Sequence, residues 1–431
     1  MRRDTDRLDR FLDKLVAVLG HKDREVPCRD YCLGLLLDGD RKSMEPMAAR
    51  LAPASTGARH QQLQNFMTNS RWSDEAVLAE VRDWVLPDLS RVGAVEAWIV
   101  DDTGFPKKGK ASVGVARQYC GQRGKQDNCQ VAVSLSVANA QGSLPVAYRL
   151  YLPQDWAADG ARREKVRVPE AIVFQTKPQI ALDQIRATLA AGVAPGVVLA
   201  DAAYGDDTAF REGLDELPLS YSVGLRPNTT VWGPRAVLPT IPLRGARGRT
   251  PKRLKAVEPP VSVRALAMRL PAAAWRRVHW GDNLELSGRF ARVRVRPAHR
   301  THLREALPEP AWLLIEWPEG AKEPDHYWLA KLAESISMRR LVCLTKLRWR
   351  IERDYQELKQ EVGLGHFEGR SWRGFHHHAS MSIAAYGYLM AERLRQQRRR
   401  KKNRGVLLDI PPLLPDYIPR GSPRANRTPP A

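Results

Sequence analysis

The sequence predicts an α/β protein: a mixed sheet with flanking helices, interrupted by a β-rich insertion and preceded by a helical domain. Three observations carry that prediction. Residues 5–90 repeat apolar side chains at helical spacing. Residues 95–226 run as strand, strand, strand, helix, strand. Residues 227–331 hold short strand patterns among many prolines, before helical spacing returns.

In the first segment, Leu8, Phe11, Leu12, Leu15, Val16 and Leu19 recur every three or four residues and so share one helix face. Ser73 is placed to cap a helix, with Asp74 and Glu75 in its first turn and Val77, Val81 and Val85 following. The pattern then changes to a strand at 96–100, a long loop at 101–128, and a strand at 129–139. A turn at 140–143 leads to a return strand at 144–152, followed by a helix at 180–191 and strands at 197–200 and 220–225. This is the element order of a ribonuclease H-like fold. Inside the insertion, Ala291, Val293 and Val295 alternate with Arg292, Arg294 and Arg296, so a strand there sets three arginines on one face. That face reads either as a DNA-backbone surface or as an ordinary solvated one. Further strands are expected at 311–317 and 326–332, and a basic loop carries Arg244, Arg247, Arg249, Lys252, Arg253 and Lys255. The expected domains are 1–90 (helical, DNA-binding), 91–226 (first part of the core), 227–331 (insertion), 332–392 (helical completion of the core) and 393–431 (a basic, proline-rich disordered tail).

With 431 residues and 43% hydrophobic content, a sizeable core is available. Lys and Arg number 69 against 48 Asp and Glu, a formal net charge of +21. Such an excess favours a polyanionic partner, bound through counterion release and weakened by salt. No apolar run reaches the ~18 residues of a membrane span, and Met1-Arg-Arg-Asp-Thr-Asp-Arg7 lacks the apolar centre of a secretion signal. A cytoplasmic protein, in contact with the nucleoid and without a membrane partner, is expected. Cys28, Cys32, Cys120, Cys129 and Cys343 are too scattered for a zinc site and read as reduced thiols.

Three acidic residues carry the chemistry. Asp101 follows the strand-like run Ala97-Trp-Ile-Val100, Asp201 follows Val197-Val-Leu-Ala200, and Glu352 lies in the helical pattern at 347–359. Two strand-end aspartates and a helical glutamate suit a pair of hard cations, which stabilise attacking and leaving oxygens in an in-line phosphodiester displacement. Each also has a plainer reading as a turn or a solvated helix face. At ~100° per residue, Arg348, Glu352, Tyr355 and Lys359 share one helix face, which suits a carboxylate flanked by phosphate-binding groups. The loop after Asp101 carries Lys107, Lys108, Lys110, Arg117, Arg123 and Lys125, a DNA clamp or a solvated hairpin. His376, His377 and His378 are adjacent on a helix and so cannot turn together onto one metal; phosphate contacts or helix-start packing remain. Trp349 and Trp372 are open to base stacking or to core packing.

The motifs Val100-Asp-Asp-Thr-Gly-Phe-Pro-Lys-Lys-Gly109, Ser112-Val-Gly-Val-Ala-Arg-Gln-Tyr119 and Gly124-Lys-Gln-Asp-Asn-Cys-Gln130 resemble a known family. So do Leu199-Ala-Asp-Ala-Ala-Tyr-Gly205, Arg348-Trp-Arg-Ile-Glu-Arg-Asp-Tyr-Gln-Glu-Leu-Lys359 and the segment from Gly363 to His378. The chain resembles the DDE transposases of bacterial insertion sequences over most of residues 55–392. It is most similar to the family numbered seven hundred and one, in the group with a β-rich insertion before the glutamate. The resemblance implies Asp101 (rather than Asp102), Asp201 and Glu352 as catalytic residues and ligands of two Mg²⁺ ions, with Mn²⁺ as a substitute. Glu357 is the second choice for the third ligand. The related family-four group has a signature of Tyr, Arg, Glu and Lys; Arg348, Glu352 and Lys359 match it, whereas Thr345 replaces the Tyr. Tyr355 is the candidate for the missing phenol. The implied partners are double-stranded DNA, both terminal inverted repeats and target, and a second copy of the chain. The implied reaction is cleavage at the element ends followed by joining of the 3′ ends to target. The alternatives are a domesticated DNA-binding relative and a nuclease without strand transfer.

Overall fold

The computed structural model describes residues 2–237, 258–280, 286–298 and 307–402. The basic loop from Arg244 to Lys255 and the proline-rich end at 411–431 lie outside the described residues. Five helices come first: α1 Arg2–Ala17, α2 Glu25–Leu36, α3 Met44–Leu51, α4 Thr56–Thr68 and α5 Asp74–Val92. The apolar stripe of the first helix is buried at Phe11, Leu12 and Leu15, and Leu19 is buried just beyond its end. Ser73 caps α5, its hydroxyl accepting the Ala76 N–H at 3.1 Å.

Next come β1 Ala97–Pro106, β2 Ala116–Cys120, β3 Lys125–Ala138 and β4 Ser143–Leu150. Helices α6 Gln154–Ala158, α7 Gly160–Lys165 and α8 Lys177–Ala190 lead to β5 Val197–Ala200. Then follow α9 Ala202–Gly205, α10 Thr208–Asp215 and β6 Tyr221–Leu225. The insertion holds β7 Thr230–Trp232, β8 Val261–Ser262, α11 Val263–Met268, β9 Arg276–His279, β10 Ser287–Pro297, β11 Ala311–Trp317 and β12 His326–Lys331. The chain closes with α12 Met338–Lys346, α13 Arg350–Gln360 and α14 Trp372–Lys402.

Among the described residues the strands form one mixed sheet in the order β2-β3-β1-β5-β6-β12-β11-β10-β7-β8, with β4 also on β3 and β9 on β10. β1 lies between antiparallel β3 and parallel β5, and β5 is parallel to β6. The insertion does not stand apart from this sheet: β12 pairs antiparallel with β6 from Tyr327↔Leu225 to Lys331↔Tyr221.

Three local readings differ from expectation. The expected loop at 101–128 is mostly strand: β1 continues to Pro106, and β2 and the start of β3 form a hairpin. Gly104 and Pro106 resemble turn residues, but a Cβ on Gly104 would stand 2.8 Å from the Cys120 sulfur. That glycine permits close packing rather than a turn. The helical pattern around Glu352 is broken by a 3₁₀ turn at Leu347–Trp349, between α12 and α13. The basic run expected to start the tail at 393 instead continues α14 to Lys402.

The N-terminal helices share one buried cluster with α14, from Phe11 to Leu394. A Cβ on Gly387 of α14 would stand 2.8 Å from Val81 of α5, so the two helices approach closely there. The three histidines at the start of α14 are buried in this packing. His376 accepts the Leu150 N–H at 3.2 Å, His377 stacks on Trp72 at 3.5 Å, and His378 pairs with the Tyr31 hydroxyl at 2.7 Å.

Asp354 of α13 is also buried, held by the Ser143 hydroxyl at 2.6 Å and the Tyr386 hydroxyl at 2.8 Å. Burial pushes its pKa up to about 6, against the two hydroxyls and Arg350. A carboxyl raised in the fold contributes stability that is fully present below its unfolded pKa and is lost as pH rises through about 6. Between pH 4 and 7 this one group is expected to remove roughly 2–3 kcal/mol. Chemical denaturation of Asp354→Asn against wild type tests it: the difference in stability between the two must change over that window, and a constant difference would contradict the assignment.

Candidate active site

The site is built where β1 and β5 run side by side. Ile99 pairs with Leu199, so Asp101 and Asp201 each lie two residues beyond the same rung of a parallel pair. Asp201 is the first residue after β5 and caps α9, its Oδ1 accepting the N–H groups of Ala203 at 2.8 Å and Tyr204 at 3.4 Å. The turn is set by close backbone packing. A Cβ on Gly205 would lie 1.9 Å from the Gly224 carbonyl oxygen, and one on Gly224 would lie 2.7 Å from the Ala202 nitrogen. Gly205→Ala is therefore expected to shift the Asp201 turn, lowering stability by roughly 2–4 kcal/mol. A thermal melt measures this, and a midpoint equal to wild type would show that the turn has slack.

The Asp101 side chain is 15% exposed, and its Oδ1 accepts the Asp102 N–H at 2.8 Å. Burial pushes its pKa up to about 7; Arg348 opposes the shift, while Asp201 and Asp102 add to it. Arg348 donates from Nη1 to Asp101 Oδ2 at 2.9 Å, and its Nη2 stands 3.5 Å from Glu352 Oε1. Burial works against the Arg348 charge, but Asp101, Asp201 and Glu352 outweigh it and raise its pKa. One guanidinium thus bridges a half-buried strand carboxylate and a helix carboxylate that is 70% exposed.

Asp101 and Asp201 are hard oxygen donors on adjacent strands, the donor type that Mg²⁺ selects. Among the described residues, no group of three or more His, Cys, Asp or Glu is close enough to hold a metal ion. Arg348 contacts both Asp101 and Glu352. The runner-up Glu357 is paired with Arg353 and with Arg393 of α14.

The other expected site residues are distributed unevenly. Lys359 lies over the Phe105 ring at 4.8 Å and donates to the Gly104 carbonyl at 2.7 Å; burial lowers its pKa to about 8. Tyr355 is buried with its hydroxyl 2.7 Å from that of Ser134, so its phenol faces β3 rather than solvent. Thr345, at the Tyr position of the signature, is buried and pairs with Ser222 at 2.8 Å. Lys107 donates to the Phe367 carbonyl at 2.9 Å, whereas Lys108 and Arg117 are exposed. Arg292 donates to the Ile336 carbonyl and lies over Trp312. Arg294 pairs with Glu334 at 2.9 Å, and Arg296 donates to the Pro234 carbonyl at 3.0 Å and the Pro308 carbonyl at 2.6 Å. Arg292, Arg294 and Arg296 are thus all engaged by the protein itself. Trp372 is buried and Trp349 is 45% exposed.

Two partners of the site were not anticipated from sequence. Lys177, at the start of α8, pairs with Asp102 at 2.7 Å. Tyr204 is buried, and burial first, then the nearby Asp102 and Asp101 carboxyls, raises its pKa. The Tyr-Gly that follows Asp201-Ala-Ala was the available signal for the second.

A family model described as DDE superfamily endonuclease matches residues 14–286, more than half of the chain. That stretch includes Asp101 and Asp201 but not Glu352. The chain is 33% identical over 198 residues to a probable transposase for insertion sequence element IS701 from Microchaete diplosiphon. The alignment covers 46% of this chain and 47% of that protein, so it spans about half the length of the relative. No described helix is long and apolar enough to cross a membrane. With the family match covering both aspartates, the chain belongs to the DDE superfamily of endonucleases.

Proposed function

We propose that this protein is an insertion-sequence transposase, cutting DNA at the ends of its element and joining the 3′ ends to target DNA. The observation that carries the reading is the pair of aspartates on adjacent parallel strands, with Arg348 reaching from Asp101 to Glu352. The similarity to a probable IS701 transposase supports it. On this reading β2-β3-β1-β5-β6 is a ribonuclease H-like core, residues 227–331 are its insertion, and residues 1–90 form a helical DNA-binding part. The protein acts as a dimer on paired DNA ends, in the cytoplasm at the nucleoid.

Asp101, Asp201 and Glu352 would hold two divalent ions, Mg²⁺ or Mn²⁺, which supply positive charge to the attacking and leaving oxygens of the phosphodiester. The protein's own groups then have distinct tasks. The carboxylates of Asp101 and Asp201 are presented from the middle of β1 and the end of β5, so their oxygens enter the site without reorganisation. Arg348 neutralises Asp101 while the site is free of DNA, and its planar fork also suits a phosphate. A backbone phosphate that draws Arg348 away leaves Glu352 free to turn inward. Lys359 adds a second cation seven residues further along the chain. Water supplies the first nucleophile and the freed 3′ hydroxyl the second, so no covalent link between protein and DNA forms.

A plasmid excision assay tests the proposal. The reading frame with its flanking DNA is placed in a reporter, and the protein is supplied in trans as wild type or Asp101→Asn. Excision and reinsertion by wild type alone support transposition. Cutting without joining indicates a nuclease, and binding without cutting indicates a non-catalytic relative; either outcome overturns the proposal.

A further inference from the structure

The hairpin of β2 and β3 carries a surface that the catalytic reading leaves unused. β2 is the edge strand of the sheet, and Arg117 and Tyr119 alternate outward from it. Tyr119 is 58% exposed, the most exposed aromatic ring among the described large hydrophobics. Residues 121–126, which include Arg123 and Lys125, are all exposed around it.

Tyr119 is exposed on a hairpin that is not loose. Cys120, Cys129 and Val131 form a small buried cluster of their own. The Asn128 side chain donates to the Lys107 carbonyl at 2.6 Å and to the Gly109 carbonyl at 3.0 Å. Gly104 of β1 packs against Cys120 with no room for a side chain. Lys359 of α13 holds the Gly104 carbonyl and also approaches the Gln122 amide oxygen at 3.4 Å. The tip therefore curls back onto β1 and α13. Gly104 is three residues along β1 from Asp101, which is ~10 Å at the rise of a strand. That is about three nucleotide steps of a DNA strand.

An exposed, rigidly mounted aromatic ring that shares a strand face with an arginine and is ringed by cations fits duplex DNA. The cations take the phosphates, and the ring packs against a sugar or base at little entropic cost. We propose that Tyr119 and Arg117 form a contact surface for the DNA that flanks the scissile phosphate, with Lys359 coupling that surface to the catalytic helix. The inference rests on the reading of the chain as a DNA-cutting enzyme.

The test uses the full chain and a fluorescein-labelled duplex taken from the DNA flanking the reading frame. Binding is followed by anisotropy for wild type, Tyr119→Ala and Tyr119→Phe. Tyr119→Ala is expected to weaken binding roughly 5- to 10-fold, in the range of lost aromatic–base contacts, while Tyr119→Phe stays within about twofold. A photoreactive phenylalanine at position 119 is expected to crosslink to the duplex, and one at exposed Met268 of α11 is not. If wild type fails to bind any duplex, the proposed function falls. If wild type binds but Tyr119→Ala binds equally and position 119 does not crosslink, this inference alone is overturned. A loss in Tyr119→Phe as large as in Tyr119→Ala would overturn the role of the ring.

Discussion

On the proposed function, Asp101→Asn is expected to abolish strand cleavage, by at least about a thousandfold, because removing one carboxylate charge from the pair proposed to hold metal takes away several kcal/mol of transition-state stabilisation. Duplex binding should survive, since Asp101 is an acid and contributes no attraction for phosphate. Stability separates this loss from misfolding. In the fold, burial holds the carboxyl of Asp101 up to about 7. Its contribution is present below the unfolded pKa and is lost as pH rises through about 7. At pH 8 the ionised group is a liability to the folded state that asparagine lacks. The thermal midpoint of Asp101→Asn at pH 8 should therefore not fall below that of wild type. Single-turnover cleavage of labelled duplex, run beside a thermal melt, checks both parts. A variant that still cuts would remove Asp101 from the chemistry, and one that melts early would make its loss structural.

Arg348→Ala is the second large expected effect, and its two readouts move in opposite directions. Removing the guanidinium leaves Asp101 buried opposite Asp201 with no nearby compensating charge. Breaking such a pair from one side destabilises by roughly 2–4 kcal/mol at a partly buried site. The same change removes the guanidinium that pairs with both Asp101 and Glu352, carboxylates proposed to bind the cation. In the absence of DNA, Mn²⁺ affinity should therefore rise, by about tenfold for a gain near 1.4 kcal/mol. DNA cleavage should fall, because the phosphate loses its fork. Mn²⁺ titration followed by electron paramagnetic resonance reads the affinity directly. Unchanged or weaker Mn²⁺ binding in Arg348→Ala would show that the arginine does not compete with a cation for the carboxylates. Rescue of the thermal midpoint by Mn²⁺, larger in the variant than in wild type, is the corresponding stability signature.

Much of the sheet could be read from local pattern. β5 and β11 have the expected ends, and β4, β6 and β12 differ from theirs by two residues or fewer at either end. Those segments are short apolar runs bounded by turn residues, and the local signal is sufficient for them. The region after Asp101 was misread for a physical reason. Glycine in a strand and glycine in a turn look the same in one dimension, and only the packing of Cys120 against Gly104 tells them apart. The arginines of β10 show the same limit: alternation placed them on a strand, but Ile336, Glu334, Pro234 and Pro308 on other segments decide what their guanidinium groups touch. Tyr355 was expected beside phosphate because it shares a helical face with Glu352 and Lys359. The helix packs on β4 and β1, its phenol meets Ser134 of β3, and Glu352 is left exposed.

The sequence by itself determined local features: a strongly cationic chain, two aspartates placed after apolar strand runs, and an Arg–Glu–Lys spacing at 348, 352 and 359. Composition and short-range spacing are local properties, and they persist whatever the fold does with them. Tertiary structure alone decided which of those groups meet. The parallel pairing of β1 with β5 joins residues a hundred positions apart. The packing of α13 against the sheet sets Arg348 between the carboxylates and turns Tyr355 inward. Such juxtapositions follow from burying apolar faces across the whole chain, a long-range balance that no window of neighbouring residues records.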